Sequence, residues 1–312
     1  MILYRWQGSA RNFGDELNTV LWPTLLPGFF DDDPTTRFLG IGSVLDRRHA
    51  GAGRKLVAGS GYGGYEAPPN LDGLWDIHWV RGPRTARLLG LPAELGLGDP
   101  ATLLPGTGLV RPRPACRIGF MPHFESAAGG AWDAATAAIG ITLIDPRGDP
   151  LCIAAAIAGC HVLLSEALHG AIVADALGVP WVAIEPLAPI HRPKWQDWAD
   201  SLDLSIRFQR LPPSSLLERA RLSGVASYHN GRELLDRHAG LLRAVGAAWF
   251  VDRAALALRR AALAAPQLSC RHALDRCQSR MLDRLHWLRR THHPAHLHPG
   301  PGNAYHQGPF AS

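Results

Sequence analysis

Three features that mark common protein classes are missing from this sequence. Its five cysteines form no Cys-x-x-Cys pair and are odd in number, which indicates reduced thiols. No apolar segment of the signal-peptide type follows the first six residues. The longest apolar run is interrupted by Glu166, His169 and Asp175, so it is too polar to span a membrane. We therefore expect a cytoplasmic protein.

Charged residues are also scarce, and the positive charge is confined to one region. They make up 19% of the 312 residues against 46% hydrophobic residues, which is typical of a globular chain long enough for two domains. Residues 252–290 carry nine arginines against three aspartates. Because basic residues are not interleaved with aromatic ones across the chain, nucleic acid is not an expected partner.

Short apolar segments alternate with helix-like segments in two consecutive series. Strands are predicted at 2–6, 37–41, 55–58, 77–80 and 95–97, and then at 117–121, 142–144, 162–164 and 181–184. A Pro-rich link at 111–114 separates the two series. The pattern predicts an α/β fold with two Rossmann-like lobes facing each other across a cleft. We expect lobes at 1–112 and 113–251, a basic helical appendage at 252–290 and a disordered tail at 291–312.

Polar residues gather at four predicted junctions between a strand and a helix: RNFGDE (11–16), VRGPRT (80–85), IDPRGD (144–149) and LSEALHG (164–170). Pro83 suits the first turn of a helix, and Ser165 is predicted to cap the helix that contains His169. Helix N-termini favour anions. Arginines and a histidine beside such ends predict a site for a phosphate and a carboxylate, formed by Arg81, Arg84, Arg147 and His169.

A structural interpretation stands beside the functional one for several of these residues. Arg84 fits a solvated helix face, and Arg147 can close a turn against Asp149. His169 can be a satisfied core histidine, and Asp15 can be a helix-start residue. The repetition of such junctions in both lobes favours function.

No cofactor or metal ion is predicted. GSGYGG (59–64) matches the dinucleotide pattern, but Pro68 and Pro69 prevent the helix that NAD binding requires. The late histidines are assigned to a flexible tail: 292, 293, 296, 298 and 306. Carboxylates that would hold a hard cation are not clustered.

Eight segments resemble, in order, the polysaccharide pyruvyl transferases. They are NFGDELN, GIGSVL, VAGSGYGG, WVRGPRTARLLGL, GDPATLLP, MPHFE, DPRGD and SEALHGAIVADALGVPWVAI. The resemblance covers roughly residues 2–200 and is strongest to the ketal pyruvate transferases of the xanthan and succinoglycan type. It implies a glycosyltransferase-B-like pair of lobes with the acceptor on the N-terminal side. Phosphoenolpyruvate would donate a pyruvyl group, as a cyclic 4,6-type ketal, to a terminal hexose of an exopolysaccharide repeat unit.

The resemblance also implies roles for individual residues. His169 and Arg81 match family residues expected to contact phosphoenolpyruvate, and Asp15 matches an aspartate of the N-terminal turn. Lys194 stands where many members have a lysine. The predicted catalytic residues are Asp15 and His169, and the predicted substrate-binding residues are Arg81, Arg84, His123, Arg147, Leu168 and Lys194.

One departure from the family pattern concerns Ala167, which replaces an arginine. Either Arg147 or Lys194 takes over its role, or the donor binds differently. Which of Asp15 and His169 gives a proton and which takes one also stays open. The sequence leaves two other functions open: a nucleotide-sugar glycosyltransferase of the same fold, and a non-catalytic scaffold of the assembly machinery.

The C-terminal region carries an apolar stripe at helical spacing: Cys270, Leu274, Cys277, Met281, Leu285 and Leu288. Arginines lie mostly off this stripe. The resemblance also implies that the acceptor is a lipid-linked repeat unit at the cytoplasmic face of the inner membrane. Together with such an acceptor, the pattern predicts peripheral docking on the anionic inner membrane. The alternative is that the stripe packs against the second lobe or a second copy of the chain.

Overall fold

The computed structural model describes residues 1–8, 10–51, 53–112, 116–185, 192–223 and 231–292. Its strands are β1 (Ile2–Leu3), β2 (Thr36–Leu39), β3 (Arg54–Ala58), β4 (Trp75–Trp79), β5 (Cys116–Met121), β6 (Thr142–Leu143), β7 (Cys160–Ser165), β8 (Trp181–Ile184) and β9 (Phe208–Gln209). Its α-helices are α1 (Phe13–Glu16), α2 (Asn18–Leu25), α3 (Pro83–Leu88), α4 (Phe124–Gly129), α5 (Trp132–Ala137), α6 (Pro150–Ala158), α7 (Leu168–Ala176), α8 (Arg192–Asp200), α9 (Leu216–Leu222), α10 (Gly231–Arg237), α11 (Ala239–Ala244), α12 (Ala247–Ala261) and α13 (Arg271–His292).

The strands form two sheets in which every pair is parallel. The first has the order β1-β2-β3-β4 and the second the order β6-β5-β7-β8-β9. Parallel sheets need crossover segments, which explains the alternation of apolar segments and helices along the chain. The prediction of an α/β class with a C-terminal helical region is confirmed. The domain boundaries stay a prediction, and residues 113–115 of the link lie outside the described part.

The order of the second sheet fixes where a ligand would bind. Chain connections run from β5 outward to β6 on one side, and from β7 to β8 and β9 on the other. In such doubly wound sheets, ligands bind beyond the carboxyl ends of the strands at the point where the direction reverses. That point lies between β5 and β7, so a ligand is expected beside the segments that follow Met121 and Ser165.

Helix α7 packs inside the molecule on almost all sides. Eight of its nine residues are buried, and His169 is the exception. The helix contacts α1, α6 and the 3₁₀ helix Pro100–Thr107. An apolar helix enclosed in this way explains the long hydrophobic run that the sequence shows. His169 is therefore not a core histidine.

The two C-terminal helices pack on different sheets. Ala254, Leu258 and Ala261 of α12 join the core of the second sheet. Met281, Leu285 and Leu288 of α13 pack with tryptophans and phenylalanines of the first sheet, chiefly Trp22, Phe29, Phe38 and Trp79. Leu274 and Cys277 of the same stripe join a core cluster shared by both halves of the chain, and Cys270, which precedes α13, is exposed. The buried part of this face is therefore not available to a membrane, and peripheral membrane contact of the protein stays a prediction.

Three local predictions also need correction. Ser165 does not cap α7: Ala167 is the N-cap residue, and the Ser165 hydroxyl donates to the Ala167 carbonyl at 2.7 Å. Residues 95–97 form no strand, because Ala93–Leu95 is a 3₁₀ helix and only Gly96 bridges to Val80. The predicted tail begins too early, because Thr291 and His292 end α13; the rest of the tail lies outside the described part.

Among the described residues, none of the helices is long and apolar enough to cross a membrane.

Candidate active site

A cavity of about 310 Å³ opens at the reversal point of the second sheet. The segment after β5 contributes His123, Phe124 and Glu125, and the segment after β7 contributes Leu168 and His169. Because Leu168 and His169 begin α7, the free backbone N–H groups of that helix lie at the cavity wall. A helix N-terminus at this place favours a bound anion.

The N-terminal half closes the opposite wall of the cavity. Asp15 and Gly14 come from α1, and Ser43 and Arg48 from the segment after β2. A backbone hydrogen bond from Phe13 N–H to the Pro146 carbonyl, 2.9 Å long, ties α1 to the loop after β6. The site is therefore formed by both halves of the chain.

His169 is held between Gly14 and Asp99. Its Nε2 atom lies 3.3 Å from Asp99 Oδ2, and Asp99 is fully buried. A Cβ atom on Gly14 would lie 1.9 Å from His169 Nδ1, so only glycine leaves room for the imidazole there. Asp99 places a carboxyl group beside the imidazole, and the sequence analysis missed this neighbour although its segment, GDPATLLP, was among the resembling ones.

Asp15 occupies a site that favours its neutral form. Burial raises the pKa of its carboxyl, while the charge of His169 and a 2.6 Å hydrogen bond from the Asn12 amide oppose that rise. A carboxyl whose pKa lies above the ordinary value is suited to exchange protons near neutrality. Asp15 and His169 thus face one cavity as two groups capable of proton transfer.

Lys194 supplies a cation to the same cavity from α8. It lies beside Tyr65, with 3.2 Å between Nζ and the tyrosine hydroxyl oxygen. Burial in the cavity wall, followed by the charge of Arg81, lowers the pKa of Lys194 to about 8. The ammonium is therefore poorly compensated, and an anion in the cavity would stabilise it.

Glu166 explains why a charged residue follows the buried strand β7. Its carboxylate accepts from the His123 backbone N–H at 2.8 Å and from the Ser126 hydroxyl at 2.9 Å. Glu166 therefore fastens the segment after β5 to the segment after β7. Burial raises its pKa. Glu166 lies behind the cavity wall and does not line the cavity.

Three of the predicted substrate-binding residues do not line the cavity. Arg81 is fully buried behind it, where it donates to Asp197 at 3.1 Å, to Ser43 at 2.7 Å and to the Tyr62 carbonyl at 3.0 Å. Arg84 is exposed and pairs with Asp200, and Arg147 pairs with Asp145 in its own turn. The predicted partner of Arg147, Asp149, instead caps α6. Arg147 therefore lies outside the cavity lining, and which residue takes over the role of the family arginine stays open.

The structure brings the other five predicted residues together in the cavity: Asp15, His123, Leu168, His169 and Lys194. It adds residues that the sequence analysis did not assign, chiefly Trp6, Ser43, Arg48, Tyr65, Phe124 and Glu125. Phe124 and Glu125 belong to the MPHFE segment. Arg48 carried no signal in the sequence, since it enters from a 3₁₀ helix whose position only the fold determines.

Fold and site together define a class: an α/β protein with a small cavity lined by a lysine, a helix N-terminus and two side chains capable of proton transfer. Comparisons with known proteins agree with this class. A family model described as polysaccharide pyruvyl transferase matches residues 70–186. The succinoglycan biosynthesis protein ExoV of Rhizobium meliloti (strain 1021) is 37% identical over 315 residues, which cover 93% of this chain and 99% of that protein. No solved structure matches.

The chain therefore belongs to the polysaccharide pyruvyl transferase family, and it is a transferase of pyruvyl groups. The resemblance found in the sequence is confirmed. Membership of this family decides against a nucleotide-sugar glycosyltransferase and against a non-catalytic scaffold.

Proposed function

We propose that the protein transfers the pyruvyl group of phosphoenolpyruvate to a hexose of an exopolysaccharide as a cyclic ketal, with release of phosphate. The observation that carries this proposal is the convergence of Asp15, His169 and Lys194 on one cavity at the N-terminus of α7. A phosphate and a carboxylate on one small molecule require cations and N–H donors in close proximity. The two sheets would then be the two lobes of a glycosyltransferase-B-like cleft.

The volume of the cavity fits a small donor. About 310 Å³ lies at the lower limit of pockets that enclose drug-sized ligands. Phosphoenolpyruvate is smaller than such ligands, whereas a nucleotide sugar is larger. We infer that Lys194, Arg48 and the N-terminus of α7 bind the donor's two anionic groups. Lys194 thereby takes the place of the family arginine that is Ala167 here.

The chemistry needs one proton donor and one proton acceptor. Proton transfer to the methylene carbon of the donor turns it into a methyl group and leaves an oxocarbenium-like centre at the next carbon. A sugar hydroxyl attacks that centre and loses its proton. The bond from this carbon to the phosphate oxygen then breaks, and the second hydroxyl closes the ring as its proton leaves with phosphate. Asp15 and His169 are the groups that we propose for the first two transfers.

The acceptor is proposed to enter past an aromatic rim. The rings of Trp6 and Phe124 lie 6.1 Å apart at the cavity. A second, open depression borders the cavity and shares Trp6 and Arg48 with it. Aromatic faces combine an apolar body with a defined geometry, which suits the apolar face of a sugar ring. An oligosaccharide, whether soluble or lipid-linked, would lie in this depression.

The proposed function is tested by phosphate release from phosphoenolpyruvate in the presence of a pyruvyl-free succinoglycan-type oligosaccharide. We expect stoichiometric phosphate and a product whose mass has increased by one pyruvyl ketal. The assay is run with and without a chelator, because we propose that donor binding needs neither a divalent metal nor a cofactor. A nucleotide sugar replaces the donor in the control. Transfer from the nucleotide sugar, or no phosphate release at all, would contradict the proposal.

The pH dependence of donor binding provides a further prediction. The chain has two lysines, Lys55 and Lys194, so ¹³C-labelled lysine gives a separate NMR signal for each. We expect Lys194 to titrate near pH 8 in the free protein, since its pKa is lowered to about 8. The donor needs the charged ammonium, so its affinity should fall as the pH rises through that value.

Adding phosphoenolpyruvate should move the Lys194 transition to higher pH, because the anion stabilises the ammonium. Lys55 donates to the Gly51 carbonyl outside the cavity and serves as the internal control. A Lys194→Met variant should lose the pH dependence near 8. If donor addition shifts both lysines equally, or neither, Lys194 does not bind the donor.

A further inference from the structure

Three potential metal ligands meet where the last turn of α13 reaches the first sheet. Asp76 and His78 stand two residues apart on β4, so their side chains project from the same face of the sheet. His292 is the final residue of α13. The three ligand atoms all lie within 4.8 Å of one another.

The Asp76 carboxylate lies between the two imidazoles. Its Oδ1 atom is 3.2 Å from His78 Nε2, and its Oδ2 atom is 3.3 Å from His292 Nε2. Ligand atoms around a tetrahedral ion with bonds of about 2.0–2.1 Å lie roughly 3.3 Å apart. Both distances are close to this value, but they involve different oxygens of the Asp76 carboxylate. An ion bound here would therefore contact both oxygens or turn the carboxylate toward itself, and it would draw the two imidazoles closer together.

A second observation points to a ligand at this place. His78 is 4% exposed, and its buried Nε2 atom makes no hydrogen bond of good geometry among the described residues, although the Asp76 carboxylate lies 3.2 Å away. The Trp287 ring, 5.0 Å from the His78 ring and 6.1 Å from the His292 ring, covers the group from the helix side. A buried polar atom without a well-formed hydrogen bond requires an explanation, and beside two further ligand atoms a bound ion provides one.

We propose that Asp76, His78 and His292 bind a divalent transition-metal ion of the Zn²⁺ type. Imidazole nitrogens suit Zn²⁺, Co²⁺ and Ni²⁺, whereas Mg²⁺ and Ca²⁺ require oxygen ligands. Two histidines and one carboxylate leave a fourth position for water. None of the three residues lines the cavity of the proposed active site, so this site is independent of pyruvyl transfer.

The metal would fasten the end of α13 to the first sheet. Met281, Leu285 and Leu288 already pack the preceding turns of the helix on that sheet. A ligand set drawn from β4 and α13 exists only when these elements are in contact, so metal binding is linked to folding. The sequence analysis assigned His292 to a tail. The structure instead places it in the helix, opposite two residues about 215 positions earlier in the chain.

The test is a titration of the metal-free, full-length protein with Co²⁺, followed by visible absorption and by the melting temperature. We expect one tight site with the intense absorption of low-coordinate Co²⁺, and a rise in melting temperature on saturation. His78→Asn should lose both signals. The matched control is His161→Asn, which alters an exposed histidine on β7 and should behave like the unchanged protein.

Asp76→Asn provides a second variant in case His78→Asn does not fold, because the Asp76 side chain is 32% exposed. It should weaken Co²⁺ binding by at least tenfold while the metal-free protein melts normally. Equal binding by the unchanged protein and the variants would mean that histidines elsewhere bind the ion, and it would overturn the proposal. Absence of any effect of Co²⁺ on the melting temperature would also overturn it.

Discussion

Replacing His169 with alanine is expected to lower the rate of pyruvyl transfer by about 10²- to 10⁴-fold, the usual contribution of a positioned acid or base. The protein should stay folded, because His169 is the one residue of α7 that is not buried. Turnover of phosphoenolpyruvate and thermal melting are measured on the same sample. His161→Ala is the control, since His161 is exposed on the neighbouring strand β7.

A companion variant, Asp99→Asn, separates proton transfer from positioning. Asp99 lies 3.3 Å from the His169 imidazole but does not line the cavity, so it acts through His169. We expect a smaller loss of turnover than for His169→Ala, with an altered pH profile and little change in donor affinity. Near-normal turnover of folded His169→Ala would remove His169 from the catalytic pair and leave Asp15 alone.

Replacing Arg81 with alanine is expected to destabilise the protein by about 3–5 kcal/mol, the usual cost of removing one partner of a buried ion pair. Arg81 is fully buried, and the side chain of Asp197 is 3% exposed. Asp197 also accepts from the Thr85 backbone N–H at 2.9 Å and from the Thr85 hydroxyl at 2.6 Å, which joins the start of α3 to α8. Without Arg81, a buried carboxylate loses its cation.

The same two helices provide a matched control. Arg84 pairs with Asp200 at 2.6 Å, but their side chains are 46% and 38% exposed. Exposed pairs contribute about 0–1 kcal/mol, so Arg84→Ala should shift the urea midpoint only slightly. If Arg81→Ala costs no more than Arg84→Ala, the buried pair does not hold α3 to α8, and a direct role for Arg81 with the donor becomes the better explanation.

The placement of Arg81 corrects the expectation formed from the sequence. A strand-end arginine before a helix was predicted to contact the donor, and it does stand at the end of β4. Its three hydrogen bonds and complete burial instead make it a support for Ser43, a residue of the cavity wall. The local pattern predicted the position of Arg81 correctly. Whether its guanidinium points into the cavity or behind it depends on Ser43 and Asp197, which lie 38 and 116 residues away in the sequence.

Most of the strands and the region of the site could be predicted from the sequence alone. Apolar strands that alternate with helices are typical of parallel sheets with crossovers, so the α/β class followed from periodicity. Pro83 begins α3 as predicted, because its ring fits a first helical turn. Polar residues at the predicted junctions marked Asp15 and His169, and the MPHFE segment of the family resemblance contained His123.

Which polar side chains lie together could not be predicted from the sequence and follows from the fold. Sheet order places the segments after β5 and β7 next to each other, and the packing of α1 on α7 adds Asp15 from the other half of the chain. The buried stripe of α13 shows the same limit: its spacing predicts an apolar face but not the surface that covers it. Asp99, Arg48 and the Asp76–His78–His292 cluster depend on contacts between distant segments, and such contacts leave no periodic signal in the sequence.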